Sequence, residues 1–452
     1  MKYLSKIIEY GLYSLVFLLS LQTRWVIRAG ELNGGPWEYG TYSLYVTDIL
    51  LILLLLLFIV RVGYSRIAGQ VYNEKIYGNK IIWWFIGGLL LMCSISFLLA
   101  ASKWLALYKL GWLILGVGLF WLITSANYSR LKMIYFMLTG LFFQAVLGIW
   151  QFLTQSSFAN KWLGMALHNG ADLGTSVVEA VGSDGILERW LRAYGGFDHP
   201  NMLGGALVIG ILLILYLSFA DAPVKNFFGS SGALLLKGFL IIFFAGLFFS
   251  FSRSAWLALA VGLAITAVLA IIGRNLKSQK GLAEIILVMG ILLFILFSQY
   301  QNLITSRLDG EGRLEEKSAS ERLVSYQESW QLIKNNWATG VGLGNYTYVL
   351  NRQTPNQESF YYQPAHNVFL LVWSETGIVG LLFFAGLILY LIIFNFLHSP
   401  NNKAAVILVA LVVIMSFDHW LWSLHFGVLF FWLVLGIIIK KEDKKINFSP
   451  VL

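Results

Sequence analysis

His366 and Asn367 stand at the head of a long apolar run, in the stretch HNVFLLVWSETGIVG from His366 to Gly380. Histidine titrates near neutral pH and can serve as a general base. The plain alternative is an interfacial histidine hydrogen-bonded to a lipid headgroup. On a helical wheel, His366, Leu370, Trp373, Gly377 and Gly380 share one face. The two glycines would let a neighbouring helix approach closely. Glu375 would lie on the opposite side, roughly 13 to 14 Å deeper at 1.5 Å per residue. A carboxylate at that depth is costly and often functional, but on a straight helix it could not share a site with His366.

A second stretch, LRAYGGFDHPNMLGG from Leu191 to Gly205, combines a cation, a glycine turn and a helix start. A short helix near Asp184 to Tyr194 would put Arg189 and Arg192 on one face. Gly195 or Gly196 would be its C-cap. His199 precedes a proline and is extended; Asn201 is a fair N-cap for the next span. Such a combination suits an anion, with a plain loop-to-helix turn as the alternative. Arg253, at the apex of SFSRSAWLAL, either snorkels or contacts a lipid-linked phosphate. GVGLGNY, Gly340 to Tyr346, is not a Walker loop, since no G-K-[ST] follows, and reads as a backbone turn. RLDGEGRLEE, Arg307 to Glu316, does not fit the EF-hand and reads as a solvated loop. The sequence shows no histidine-rich or cysteine-rich metal constellation and no Gly-x-Ser-x-Gly elbow.

The elements that must hold these groups are membrane spans. The chain has 452 residues, 58% hydrophobic and 12% charged, with mean hydropathy +0.72. A soluble domain carries about 25% charged residues. Apolar stretches of bilayer-spanning length recur, giving an all-α polytopic membrane protein in one integral membrane unit over 1–452. About twelve spans are expected, near 7–27, 43–63, 81–101, 104–125, 133–153, 202–220, 236–252, 254–273, 282–303, 367–397, 404–420 and 421–439. The run 367–397 is too long for one straight crossing and either tilts or breaks near Gly377. The N-terminus reads as a retained span, not a signal peptide. Cys93 is the single cysteine, so no intramolecular disulfide forms.

Placing the N-terminus inside makes nearly every short inner loop basic and mostly lysine, as the positive-inside rule asks. Both termini, with the tail 440–452, are then cytoplasmic; Arg24 and Arg28 are exceptions just outside the first span. The net charge of +9 then reflects topology, and no nucleic-acid partner is expected. Two long connections, about 154–201 and 304–366, fall on the outer face. Their arginines suit bidentate phosphate or carboxylate recognition, whereas lysine suffices for topology. In the second loop a helix is expected from about Ala319 to Asn335, opened by a Ser318/Glu321 capping box. Leu323, Tyr326, Trp330, Ile333 and Trp337 follow at helical spacing, as a face packed on the spans or lying in the interface.

His366-Asn367, nine residues, Gly377, two residues and Gly380 resemble a motif of the O-antigen ligase and O-antigen polymerase superfamily of bacterial membrane glycosyltransferases. Arg192 with GGFDHPN, Arg253 in SRSAW, and Arg322 opening ERLVSYQESWQLIKNNWATGVGLGNY also resemble its segments. The resemblance covers about 180–385; the first five spans match only in hydropathy. It implies a GT-C-like fold in the bacterial plasma membrane. It also implies transfer of a glycan from an undecaprenyl diphosphate carrier to an acceptor hydroxyl or amide outside that membrane. No cofactor and no metal would be needed. His366 would be the base, and Arg192, Arg253 and Arg322 would contact the donor diphosphate. His199, Asn201, Asn367 and Glu375 would be supporting residues. Membrane lipids and an unidentified glycan, lipid or protein acceptor are the remaining partners. A polymerase of the same superfamily is the nearest alternative. A lipid-glycan transporter is the other, disfavoured because the distinctive polar groups gather at the outer face, not at the midplane.

Overall fold

The computed structural model describes residues 2–67, 80–172, 174–181, 185–218, 223–309, 313–398 and 403–440. The tail beyond Lys440, read as cytoplasmic, lies outside the described residues. The protein is an all-α polytopic membrane protein. Among the described residues, twelve helices overlap the expected spans in position: α1 (Lys2–Leu18), α2 (Val46–Ile67), α3 (Lys80–Leu99), α4 (Lys103–Ser125), α5 (Arg130–Thr154), α6 (Pro200–Ser218), α7 (Pro223–Ser250), α8 (Arg253–Ile272), α9 (Leu276–Gln299), α13 (Val368–His398), α14 (Lys403–Phe417) and α16 (His425–Ile439). Between them run α10 (Gln301–Asp309), α11 (Arg313–Asn336), α12 (Tyr346–Gln353) and α15 (Trp420–Ser423). Eight of the described helices are long and apolar enough to cross a membrane, and three shorter ones are also apolar.

α6 and α16 are buried almost throughout. α6 packs on α5, α7, α8 and α14, and α16 on α4. Two glycines of α6 allow this closeness. A Cβ on Gly204 would lie 2.9 Å from Ser252 Cβ, and one on Gly210 would lie 2.6 Å from the Phe243 ring.

Three short antiparallel sheets among the described residues were not expected from the sequence. The first span ends at Leu18, not at residue 27, because Arg24–Arg28 forms β1 and pairs with β4 (Tyr42–Tyr45). The run RWVIR is β-branched and aromatic between two charges, which favours a strand once a partner is beside it. β2 (Glu31–Leu32) and β3 (Gly35–Pro36) close the tip of this hairpin. The tip is tied to distant chain: Asn33 donates to the carbonyls of Pro355 and Gln357, both at 2.7 Å, and Trp37 Nε1 donates to Thr347 at 3.2 Å.

The helix expected near Asp184–Tyr194 is instead a strand, β6 (Leu187–Leu191), paired with β5 (Val177–Val181); residues 182–184 lie outside the described residues. Strand pairing satisfies backbone groups that a short isolated helix would leave open at its ends. Arg189 and Arg192 therefore share no helical face. Arg189 pairs with Glu179 at the hairpin, and Arg192 is buried in the protein. The glycine pair caps no helix either. Gly195 has φ +63, and its N–H and that of Tyr194 donate to Gln151 Oε1, while Gly196 donates to Gln144 Oε1. Two glutamines of α5 thus fix the turn after Arg192.

α11 begins at Arg313, so Ser318 and Glu321 are interior positions and form no capping box. Its buried face includes Ser325, Ser329, Leu332 and Ile333. Of the expected face, Ile333 is buried while Leu323, Trp330 and Trp337 stay exposed.

α13 breaks at Gly377, as one of the two sequence alternatives has it. Gly377 has φ 77 and ψ 176. The break exposes backbone groups that must find partners. The glycine-rich turn after α11 supplies them: Val341 N–H donates to Ser374 O at 2.8 Å, Gly342 N–H to Glu375 O at 3.1 Å, and Ile378 N–H to Trp337 O at 2.8 Å. GVGLGNY is thus the mould of the break.

Candidate active site

His366 lies just before α13, half-buried, and its Nδ1 has no hydrogen-bond partner among the described residues. Asn367 fixes the backbone beside it. Asn367 Oδ1 accepts from Leu370 N–H at 3.1 Å, capping α13, and Nδ2 donates to Ser416 O at 3.1 Å. The second bond brings the end of α14 alongside, and with it Asp418 and His419. Ligating atoms of His366, Asp418 and His419 lie within 4.8 Å of one another. The two imidazole centroids are 5.3 Å apart.

Asp418 and His419 are buried and were not singled out from the sequence. The available signal was that Asp418 is the only acid between Lys403 and Lys440, at the joint of two apolar runs. Asp418 Oδ1 accepts from His419 N–H at 2.8 Å, and Oδ2 accepts from Asn201 Nδ2 at 2.7 Å. Asn201 Oδ1 in turn accepts from Arg192 Nη2 at 2.9 Å. Asn201 is therefore a bridge and not the expected N-cap. That place belongs to His199, whose Nδ1 accepts from Asn201 N–H at 3.1 Å and whose Nε2 meets Ser176 Oγ at 2.9 Å.

Burial pushes Asp418 up, but His419, His366 and His199, with the Asn201 bond, outweigh it and hold the carboxyl below its usual range. Burial lowers His366, and Arg322 adds to this, against the pull of Asp418 and Glu321. Burial likewise pushes His419 down to about 4 and lowers His199, with Arg192 reinforcing it. At neutral pH the cluster is thus three neutral imidazoles around one carboxylate.

Arg192 is buried, donating Nε–H to Ser250 O at 2.7 Å. Burial disfavours its charge, and Arg307 adds to the cost. A guanidinium remains protonated regardless, so this cation is held in want of an anion. Arg253 opens α8 and pairs with Glu315 at 2.7 Å. Arg307, counted in the sequence only as one more outer-loop arginine, pairs with the same buried Glu315. Arg322, half-buried on α11, is close enough to depress both His366 and Arg307. Arg253 and Arg307 share the Glu315 carboxylate, Arg192 lies in the field of both, and Arg322 in that of Arg307, so cationic groups gather near the histidines. Three of the four were singled out from the sequence, and the fold does bring them together.

Glu375 belongs elsewhere. It is buried, accepts from Trp422 Nε1 at 2.9 Å, and lines a cavity with Lys109, Trp112 and Gly344. Its backbone carbonyl accepts from Ser96 Oγ. It is no member of the His366 group.

Histidine and carboxylate in this arrangement have two chemical uses: moving a proton, or holding a divalent cation. Sequence spacing could not show the second, because the three residues come from two separated segments.

Residues 238–385 match the family model described as O-antigen ligase. None of the curated proteins matches the chain. The matched segment contains Arg253, Arg307, Glu315, Arg322 and His366. Arg192, His199, Asn201, Asp418 and His419 lie outside it.

Proposed function

We propose that this member of the O-antigen ligase superfamily moves a glycan from an undecaprenyl diphosphate carrier to an acceptor hydroxyl or amide, at the outer face of the bacterial plasma membrane. The observation that carries the reading is the adjacency of an arginine cluster to a histidine whose Nδ1 has no hydrogen-bond partner among the described residues and that has a carboxylate beside it. The acceptor O–H would give its proton to His366 as its oxygen attacks the anomeric carbon in line. The bond from that carbon to the diphosphate oxygen breaks, and the carrier diphosphate leaves with the electron pair. Arg192, Arg253, Arg307 and Arg322 would stabilise the charge gathering on it. Asp418 would stabilise the imidazolium that forms on His366. The outward orientation rests on the lysine-rich inner loops of the sequence.

The test is transfer by purified protein from a carrier-diphosphate glycan to a panel of acceptors, with His366→Ala beside it. Loss of transfer with donor binding retained supports the base. Equal transfer by both proteins removes it.

A further inference from the structure

α15 (Trp420–Ser423) is a single helical turn, and it directly follows Asp418 and His419. A lone turn does not hold itself in place, so the position of both groups depends on what grips it. His419 is bound into the turn twice. Its carbonyl accepts from the N–H groups of Trp422 at 3.0 Å and Ser423 at 3.1 Å, and its Nδ1 meets Ser423 Oγ at 2.7 Å. Two charged side chains then hold the far end of the turn. Lys109 Nζ donates to Ser423 O at 3.2 Å, and Glu375 accepts from Trp422 Nε1 at 2.9 Å.

Lys109 and Glu375 are 8% and 4% exposed, and both line the cavity that Trp112, Trp422 and Ser423 also line. No ion pair joins them among the described residues. Ionised groups inside apolar helices are costly and as a rule have a use, and here each directs a hydrogen bond to α15. Lys109 is confined further by Trp112, whose ring centre lies 3.8 Å from Nζ. The glycine-rich turn seats both residues. Gly344 has φ +69, and a Cβ there would lie 2.3 Å from Lys109 Cγ. Gly342 N–H donates to the Glu375 carbonyl at 3.1 Å, and Asn345 Oδ1 accepts from Ser102 N–H at 2.7 Å at the start of α4. α4, the glycine turn and the break in α13 thus form one block, from which two charges reach α15.

We propose that Lys109 and Glu375 are positioning residues for transfer: through Ser423 and Trp422 they fix α15, so that Asp418 and His419 stand against His366. The inference rests on the glycan-transfer reading and deepens it. Asn367 holds the chain ahead of Asp418, through Ser416 O at 3.1 Å. The Lys109 and Glu375 bonds hold it just after His419. The carboxylate beside the base is therefore clamped on both sides along the chain, and the glycine-rich turn serves the break and the clamp alike.

The experiment uses the full-length protein in lipid nanodiscs and has two arms. The first needs no turnover. The chain has six histidines, few enough to resolve as imidazole 15N signals, with His419→Gln assigning His419. Lys109→Met and Glu375→Ala should each move the His419 signals and leave those of His168, which stacks on Tyr194. Glu375→Gln, whose amide oxygen can still accept from Trp422, should restore them. The second arm measures transfer with kcat and donor KM resolved. Lys109→Met and Glu375→Ala should lower kcat about tenfold to hundredfold and leave donor KM unchanged. Glu375→Gln should recover most of the loss. In a Ser423→Ala background, Lys109→Met should cost less than it does alone, because part of its route to His419 is already cut. Unmoved His419 signals in both variants, a raised donor KM with kcat kept, or strict additivity with Ser423→Ala would overturn the proposal. Should Lys109→Met fail to fold, the contrast between Glu375→Ala and Glu375→Gln carries the same test. Shifted His419 signals in a protein that transfers to no acceptor would leave the clamp standing and count against the transfer reading alone.

Discussion

Arg192 and Asp418 grip the same carboxamide. Asn201 accepts from the arginine at 2.9 Å and donates to the carboxylate at 2.7 Å. One side chain thereby sets the spacing between the anion-seeking cation and the group beside His366.

Replacing Asn201 with alanine should uncouple the two. Buried hydrogen bonds to charged groups contribute about 1.5–3 kcal/mol each, so transfer should fall by about one to two orders of magnitude. Asn201→Asp would place a carboxylate against Asp418 and should fall further. Steady-state transfer with donor KM resolved is the measurement; unchanged rates in both variants would make the bridge decorative.

His366 should set the acid limb of the pH profile. Burial holds its pKa below the ordinary histidine value, so the imidazole is neutral and able to accept a proton at pH 7. Transfer should decline only as pH falls through that lowered value. His366→Ala should lose about 10²- to 10⁴-fold. A profile of kcat/KM with its acid limb above 6.5 would contradict the assignment.

The same cluster should make the fold acid-sensitive. His419, His366 and His199 bind protons less readily folded than unfolded. Stability should therefore fall as pH drops below about 6.5, the unfolded histidine value. Asp418, depressed in the fold, loses its contribution at still lower pH, in the same direction. Thermal melts between pH 7.5 and 5 would show it, and His419→Gln should flatten the slope.

Arg307 should matter to the donor as much as its neighbours. Arg307→Ala leaves Glu315 paired with Arg253 alone and removes one cation, so donor affinity should drop at least about tenfold. Competition by a soluble diphosphate reads this without turnover.

A chelator separates the two chemistries open to His366, Asp418 and His419. Under proton transfer, incubation with EDTA followed by dialysis should leave the rate intact. A loss restored by one divalent cation would assign the group as a metal centre.

Much of this was legible in sequence because bilayer spans announce themselves by length and hydropathy. The motif that led to His366 also held Gly377, where a Cβ would lie 2.0 Å from Ala338 O and the positive φ already disfavours any other residue. What was missed shares one cause. β1 pairs with β4 and β5 with β6, and local periodicity carries no record of a partner strand. Asp418 fell inside the span expected over 404–420 and was not singled out, since nothing near it in the chain shows that Asn367 draws it beside His366. Arg307 looked like any loop arginine until Glu315 placed it next to Arg253.

The bond from Asn367 to Ser416 has a consequence for biogenesis. A chain inserted only as far as α13 already holds the arginines and His366, but Asp418 has not yet been made. The carboxylate arrives with the last pair of helices, so the site is completed at the end of synthesis. A nascent chain paused before α14 would sit in the membrane with its arginines in place and His366 still without its carboxylate.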